Sequence, residues 1–281
     1  MTEFKSGFVS IIGRPNVGKS TLLNKIMGQK VSIVSDKPST TRNQVRGILT
    51  EKGGQIVFVD TPGLHKPRSL LGQRLNDSAN QAIEEVDIVL AMVDASEEIG
   101  RGDSFVLKRS PVGSIVVVNK TDLVTGVDVL AHLSKLASFD KSSYFPVSAK
   151  TGEGVSELVQ ELFNRLPEGP MYYPPETLTD ISDAEWVAEL VREQLLAIAR
   201  EELPHSIACR VTEWEWPRIR CEIHVERSSQ KAIVIGKGGL VLKEVGTEVR
   251  KQLPPGVFLE LFVKVNPHWQ SKAHSLERLG L

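Results

Sequence analysis

Gly13-Arg14-Pro15-Asn16-Val17-Gly18-Lys19-Ser20 decides how the first half of this chain folds. The stretch leaves an apolar run, Phe8 to Gly13, and opens an amphipathic one, Lys19 to Met27. A turn of the form GxxxxGKS between a strand and a helix points successive backbone N–H groups at phosphate oxygens, and the helix N-terminus adds its positive end. Gly13, Arg14, Pro15, Asn16, Val17, Gly18 and Thr21 are therefore expected around the α- and β-phosphates of a nucleotide. Lys19 brings a point charge to the β- and γ-phosphates, and the Ser20 hydroxyl suits a magnesium ion.

Outward from this loop, short apolar runs alternate with amphipathic ones, the pattern of a parallel sheet with crossover helices. Strands are expected at Phe8 to Gly13, Gln44 to Glu51, Gln55 to Asp60, Asp87 to Val93, Ser114 to Asn119 and Ser143 to Val147. Gly53-Gly54 turns the second into the third as a hairpin. Helices are expected at Lys19 to Met27, Leu71 to Ile83, Gly102 to Arg109, Val127 to Ser138 and Gly154 to Arg165. The fold class is α/β: a mostly parallel six-stranded sheet with helices on both faces, over residues 1–167. Pro167, Pro170, Pro174 and Pro175 follow closely, and proline neither continues a helix nor donates to a ladder. Residues 168–182 read as a linker to a second domain, residues 183–281.

A length of 281 residues fits two domains, and 41% apolar with 25% charged residues is the balance of a folded soluble protein. The 34 basic and 35 acidic residues leave a net charge of -1, so nucleic-acid contact needs local clustering. Cys209 and Cys221 lack metal or disulfide spacing and read as buried thiols in a reducing compartment. No run reaches the length of a membrane span, and the N-terminus lacks signal-peptide features.

Asp60-Thr61-Pro62-Gly63 ends the third strand, where the aspartate can hold a magnesium water and the Gly63 N–H can reach a γ-phosphate. By itself DxxG is expected about once by chance in such a chain, so its placement carries the argument. Thr41 in Ser39-Thr40-Thr41-Arg42-Asn43 can add a hydroxyl to magnesium and an N–H to the γ-phosphate; Thr40 is the near alternative. Both loops, the second spanning Thr61 to Asn80, should order with the γ-phosphate and loosen without it. Lys19, Thr41 and Gly63 are the candidate catalytic groups, and Ser20, Thr41 and Asp60 the candidate metal ligands. After DxxG many GTPases place a glutamine that orients the attacking water, but here stands Leu64, which cannot hydrogen-bond. Slow intrinsic hydrolysis follows, with water positioned by a partner, a monovalent cation near Asn16 or a backbone group; His65 reads as a bystander.

Asn119-Lys120-Thr121-Asp122 ends the fifth strand and reads the base. A carboxylate only accepts, so Asp122 pairs with the N1 and N2 donors of guanine and faces a lone pair on adenine. Asn119 and Lys120 brace the loop and cover the ring, while Ser148-Ala149-Lys150 after the sixth strand offers the Ala149 N–H to guanine O6. The expected ligands are GTP or GDP with Mg2+.

Beyond the prolines, Ala184 to Glu201 has helical spacing. Two strands alternate with period two, Ile207, Cys209 and Val211, then Ile219, Cys221, Ile223 and Val225; Arg210, Arg220, Glu222 and His224 face the other way. Helices at Gln230 to Ile235 and Leu240 to Leu253 flank Gly236-Lys237-Gly238-Gly239, and a strand at Val257 to Val265 completes the order α-β-β-α-α-β. This α+β arrangement resembles a type II KH domain, whose GXXG loop clamps the backbone of about four single-stranded nucleotides. Arg227, Lys231, Lys237 and Lys243 supply local positive charge, joined by Arg250 and Lys251, and Ile233, Val234 and Ile235 read as the apolar groove wall.

The runs GRPNVGKSTL, STTR, VDTPGLHKP, NKTD, FPVSAKTGEGV, ERSSQKAIVIGKGG and VKVNPHW make the chain similar to the bacterial Era GTPases over essentially its full length. The resemblance implies binding to the 3′ end of small-subunit (16S) ribosomal RNA and a checkpoint role in assembly of the small ribosomal subunit, with hydrolysis as the release signal. It also implies a family without the catalytic glutamine, consistent with Leu64, and relatives that hold K+ through the asparagine at the place of Asn16. The Lys237-Gly238 pair makes the loop more glycine-rich than in many members. A cytoplasmic monomer with peripheral association at the inner face of the cell membrane completes the expectation. The rivals are a signalling GTPase whose KH-like domain binds protein or membrane, and an RNA-modification enzyme using GTP as a clock.

Overall fold

The structure is a computed structural model that describes residues 4–37, 40–42, 44–63, 69–198 and 203–281, without the side chains of Pro204 and His205. It divides into two compact units, the first running to Asp180 and the second from Ile181 to Leu281, with residues 35–37, 40 and 69–74 grouped with the second.

In the first unit the chain runs β1 (Lys5–Gly13), α1 (Lys19–Met27), β2 (Val45–Glu51), β3 (Gly54–Asp60), α2 (Leu70–Glu84), β4 (Ile88–Asp94), α3 (Arg101–Arg109), β5 (Ile115–Asn119), α4 (Gly126–Leu136), β6 (Ser143–Pro146) and α5 (Val155–Arg165). The strand order is β2-β3-β1-β4-β5-β6, antiparallel only between β2 and β3. Every residue of β4 and β5 is buried, because helices cover both faces. On one face Leu22, Leu23, Leu158 and Leu162 pack against Val9, Ile11, Leu90 and Val117. On the other, Ala79, Val106, Leu107 and Leu136 meet Ile12, Val89, Ala91 and Val118. The order reverses at β1, with β3 on one side and β4 on the other, and a crevice at such a switch point lies beyond the carboxyl ends of the strands. Gly13, Asp60 and Asn119 stand at three of those ends.

Residues 168–180, read from sequence as part of a linker, are held along the first unit. Gln55 Oε1 accepts the N–H groups of Tyr172 (2.8 Å) and Tyr173 (3.0 Å), and Gln55 Nε2 donates to the Tyr173 carbonyl (2.8 Å). The Ile48 N–H donates to the Leu178 carbonyl (2.9 Å), and Arg46 pairs with Asp180 (3.0 Å). The prolines keep this segment out of regular structure, and its backbone finds partners in the outer strands instead.

The second unit contains α6 (Asp183–Ile198), α7 (Leu203–Ser206), β7 (Ala208–Glu215), β8 (Arg218–Val225), α8 (Ser228–Ile235), α9 (Leu240–Arg250), β9 (Phe258–Val265) and α10 (Ala273–Arg278). The expected first helix ended at Glu201, which lies outside the described residues. β7 pairs antiparallel and β9 parallel with β8. Val187, Leu190 and Val191 of α6, Val245 and Val249 of α9, and Ile219, Cys221 and Ile223 of β8 form one core.

Glu222 and His224 face away from the helices, as the alternation implies, and both are nevertheless buried. Lys264 of β9 and His224 pair with Glu222, and the chain after β9 returns to this unit, where Arg210 donates to the Arg278 carbonyl and fully buried Trp269 donates its Nε1–H to the Ser206 carbonyl (3.1 Å). Cys221 is buried as expected, whereas Cys209, on the outer strand β7, is only partly so. Among the described residues no helix is long and apolar enough to cross a membrane.

Candidate nucleotide site and nucleic-acid interface

The loop between β1 and α1 is shaped by neighbours that leave no room for side chains. Gly18, at φ 101°, caps α1, and a Cβ there would lie 2.3 Å from Asn119 Nδ2. Left-handed backbone and this close approach together demand glycine. Buried Lys19 donates to the Arg14 carbonyl (3.2 Å) and lies 3.5 Å from that of Gly13, so its ammonium is held inside the loop. Asn16 also has positive φ (65°) and is exposed at the loop's crest. The Arg14 side chain pairs outside the loop, with Asp103 (2.6 Å) and Glu97 (2.9 Å). Burial works against its charge, but the two carboxylates hold its pKa above the ordinary value.

Beside Lys19 is a cluster of oxygens. Ser20 Oγ (2.7 Å), Ser32 Oγ (3.0 Å) and Thr41 Oγ1 (3.3 Å) all donate to Asp60 Oδ2, and Ser20 and Thr41 are 3.2 Å apart. Asp60 is fully buried, and its Oδ1 has no hydrogen-bond partner. A buried carboxylate oxygen left open next to two hydroxyls is a hard, oxygen-only donor set that fits Mg2+, an ion that keeps several waters and shares phosphate oxygens. Among the described residues no group of three or more His, Cys, Asp or Glu side chains could hold a metal, so this mixed set is the candidate. Burial pushes the Asp60 carboxyl up and the Lys19 ammonium down, each only partly offset by the other's charge. A dication and a polyphosphate would restore the charged forms of both. Gly63 lies against the loop, where a Cβ would be 3.0 Å from the Pro15 nitrogen.

The base loops are cross-braced. Buried Asn119 donates Nδ2–H to the Val17 carbonyl (2.7 Å) and accepts the Ala149 N–H at Oδ1 (2.9 Å), tying phosphate loop, β5 and the loop after β6 together. The Ala149 N–H, expected to face guanine O6, is thus engaged by Asn119. Ser148 Oγ donates to Asp122 Oδ1 (2.7 Å), which orients the carboxylate, while Asp122 and Lys150 are exposed. Lys120 is left-handed (φ 66°) and pairs with Asp94 (2.5 Å). Burial alone would raise the Asp94 carboxyl, but hydrogen bonds from Lys120 and Ser96 hold it below its ordinary value.

In the second unit Gly236, Gly238 and Gly239 all have positive φ (73°, 61° and 79°). A Cβ on Gly236 would strike Val241, whereas Gly238 and Gly239 face open space in which another backbone could approach. Arg227, Lys237 and Lys243 are exposed, and Lys231 and Ile235 half-buried. Ile233 (58% exposed) and Leu240 (63%) flank the loop. Val234, expected in the groove wall, is instead buried in the core. Helical residues turn about 100° each, so three in succession cannot share a face. Leu240, the first residue of α9, is the other exposed apolar side chain flanking the loop.

The profile of the 50S ribosome-binding GTPase family matches residues 8–120, and that of the KH domain residues 202–270. GTPase Era of Carboxydothermus hydrogenoformans is 45% identical, with 99% of this chain and 98% of that protein aligned. The chain belongs to the Era family of GTPases. A crystal structure of Era with MgGDPNP and nucleotides 1506–1542 of 16S ribosomal RNA superposes with a TM-score of 0.94 at 37% identity, covering 99% of both chains. A point variant of Aquifex aeolicus Era bound to GDP·AlF4- gives 0.93 at 37% identity, covering 98% of this chain and 99% of that one.

As an Era-family GTPase the chain splits GTP into GDP and phosphate, a reaction in which positioning and electrostatics do most of the work. Mg2+, held by Ser20, Thr41 and Asp60, would supply charge neutralisation for the polyphosphate. Leu64 and His65 lie outside the described residues, as do Ser39 and Asn43. Sequence reasoning missed two groups in the Era site. Ser32 donates to Asp60, and Asn24 of α1 holds Ser32 in place by accepting the Val31 and Ser32 N–H groups (2.8 and 2.9 Å) at Oδ1. No spacing marks either, and their signal is tertiary.

Proposed function

We propose that this chain is a GTP-driven switch that binds the 3′ region of 16S ribosomal RNA and assists assembly and maturation of the small ribosomal subunit. Its first 167 residues are the hydrolytic module, residues 183–281 the RNA-binding module and residues 168–182 the connection. Lys19, Thr41 and Gly63 act on the γ-phosphate, Ser20, Thr41 and Asp60 hold Mg2+, and Asn119, Lys120, Asp122 and Ala149 form the guanine pocket. The remaining loop residues from Gly13 to Thr21, with Ser148 and Lys150, complete the nucleotide contacts, and K+ near Asn16 is part of the same reading. It is a monomer of the cytoplasm.

The observation that carries the RNA half is the loop Gly236-Lys237-Gly238-Gly239. Two of its glycines face open space, its lysine is exposed, Lys243 stands in the first turn of α9 just after it, and Lys231 and Arg227 lie along α8 before it, Arg227 at that helix's N-cap. The relative crystallised with nucleotides 1506–1542 of 16S RNA supports the choice of RNA. The test is binding of a 16S 3′-end RNA by fluorescence anisotropy to the full chain and to a Lys237→Asp, Gly238→Asp double variant. Aspartate tolerates the left-handed backbone at 238, so the unit should still fold. We expect affinity to fall more than about tenfold while GTP hydrolysis is kept, as phosphate contacts are lost and acceptors introduced. Equal affinity for the variant, or for a scrambled RNA, would refute the proposal in favour of a protein or membrane partner.

A further inference from the structure

We propose that Asp103 is a positioning residue for GTP binding, acting through Arg14 to hold the phosphate loop in its binding shape. Asp103 stands in the first turn of α3, and its side chain is only 2% exposed. A carboxylate capping a helix has no need of burial, which costs several kcal/mol unless the charge is paired. Both its oxygens are in fact used. Oδ2 accepts the Gly100 N–H (2.9 Å) and closes the first turn of α3; Oδ1 accepts Arg14 Nε–H (2.6 Å). Glu97 takes a second N–H of the same guanidinium (2.9 Å), so the planar fork is gripped from two sides.

The approach is close enough to need Gly102, where a Cβ would lie 2.5 Å from Arg14 Cδ and 3.2 Å from Cγ. Arg14 is the second residue of the loop, and its carbonyl accepts from Lys19. Asn119 holds the far end of the loop through Val17, so Asp103 and Asn119 together fix both ends of the arc between them. A pre-shaped arc of N–H groups serves bound GTP and the transition state alike, so loosening it raises KM and speeds nucleotide release with little change in kcat. The inference rests on the phosphate reading of the loop.

The experiment measures fluorescent-GDP release, KM and kcat for GTP, and thermal midpoint in the full chain. Asp103→Asn should release GDP about tenfold faster, the weight of one charge-assisted hydrogen bond. Gly102→Ala keeps every charge and favours the helix, so its midpoint should hold or rise while release quickens at least about threefold, because Arg14 is displaced. In an Arg14→Ala, Asp103→Asn double variant the effects should not multiply. Wild-type release from Gly102→Ala, or multiplying effects in the double variant, would overturn the proposal. Lys19→Ala separates the two failures: if that variant binds GTP normally, the phosphate reading itself is wrong.

Discussion

Asn119→Ala is the substitution whose outcome the geometry specifies most fully. The side chain is 2% exposed and bridges two loops: Nδ2 to the Val17 carbonyl at 2.7 Å and Oδ1 to the Ala149 N–H at 2.9 Å. Truncation leaves one buried acceptor and one buried donor unpaired, at about 1–3 kcal/mol each. The loss of about 2–6 kcal/mol would weaken GDP binding by roughly thirty-fold to roughly 10⁴-fold. The distinctive part is the Val17 bond, which belongs to the phosphate loop and owes nothing to the base. Magnesium pyrophosphate, which has no base, should therefore also bind about five-fold to 150-fold more weakly, from the same 1–3 kcal/mol. Titration calorimetry of wild type and variant with GDP, and separately with pyrophosphate, measures both. If the pyrophosphate constant stays within about twofold while GDP affinity falls, Asn119 acts only on the base and the bracing argument is wrong.

Ser32→Ala removes one hydrogen bond to the Asp60 carboxylate, about 1.5–3 kcal/mol for a charged acceptor. The Mg2+ concentration for half-maximal GTP hydrolysis should rise at least about tenfold with turnover largely kept at saturating Mg2+, and an unshifted Mg2+ curve would exclude a role for Ser32. In the second unit burial pushes the His224 imidazole below its ordinary value of 6.5, despite the attraction of Glu222 and with Lys264 and Arg278 opposing charge. Its folded pKa thus lies below its unfolded one, so this stability is complete above pH 6.5 and is lost as pH falls through the folded value. The urea midpoint of that unit should drop between about pH 7 and about pH 5, and less so in His224→Gln.

Period and placement made the nucleotide site legible. Gly13, Asp60 and Asn119 terminate strands in the sequence pattern, and strand ends at a switch point are where the sheet puts a ligand. What escaped depends on contacts distant in sequence. Ser32 and Asn24 belong to no spaced motif, and their importance appears only once the chain folds back to bring Ser32 to Asp60. Glu222 and His224 followed the alternation correctly, but alternation cannot tell that both are buried on the face they share. Val234 failed on helix phase, a constraint available from sequence but outweighed by the attraction of three consecutive apolar residues beside a glycine loop.

The segment from Gly169 to Asp180 also bears on what the edge of the six-stranded sheet offers to other chains. β2 ends the six-stranded sheet, and an outer strand presents unpaired N–H and C=O groups to any other chain that can pair with them. Here the Leu178 carbonyl takes the Ile48 N–H, Thr179 bridges Gly47, and the nearby prolines lack N–H donors to extend the pairing. The segment therefore occupies backbone groups of Gly47 and Ile48 that the edge of β2 would otherwise present to another chain. A chain cut at Pro167 would keep its nucleotide loops, yet expose a ready template for aggregation.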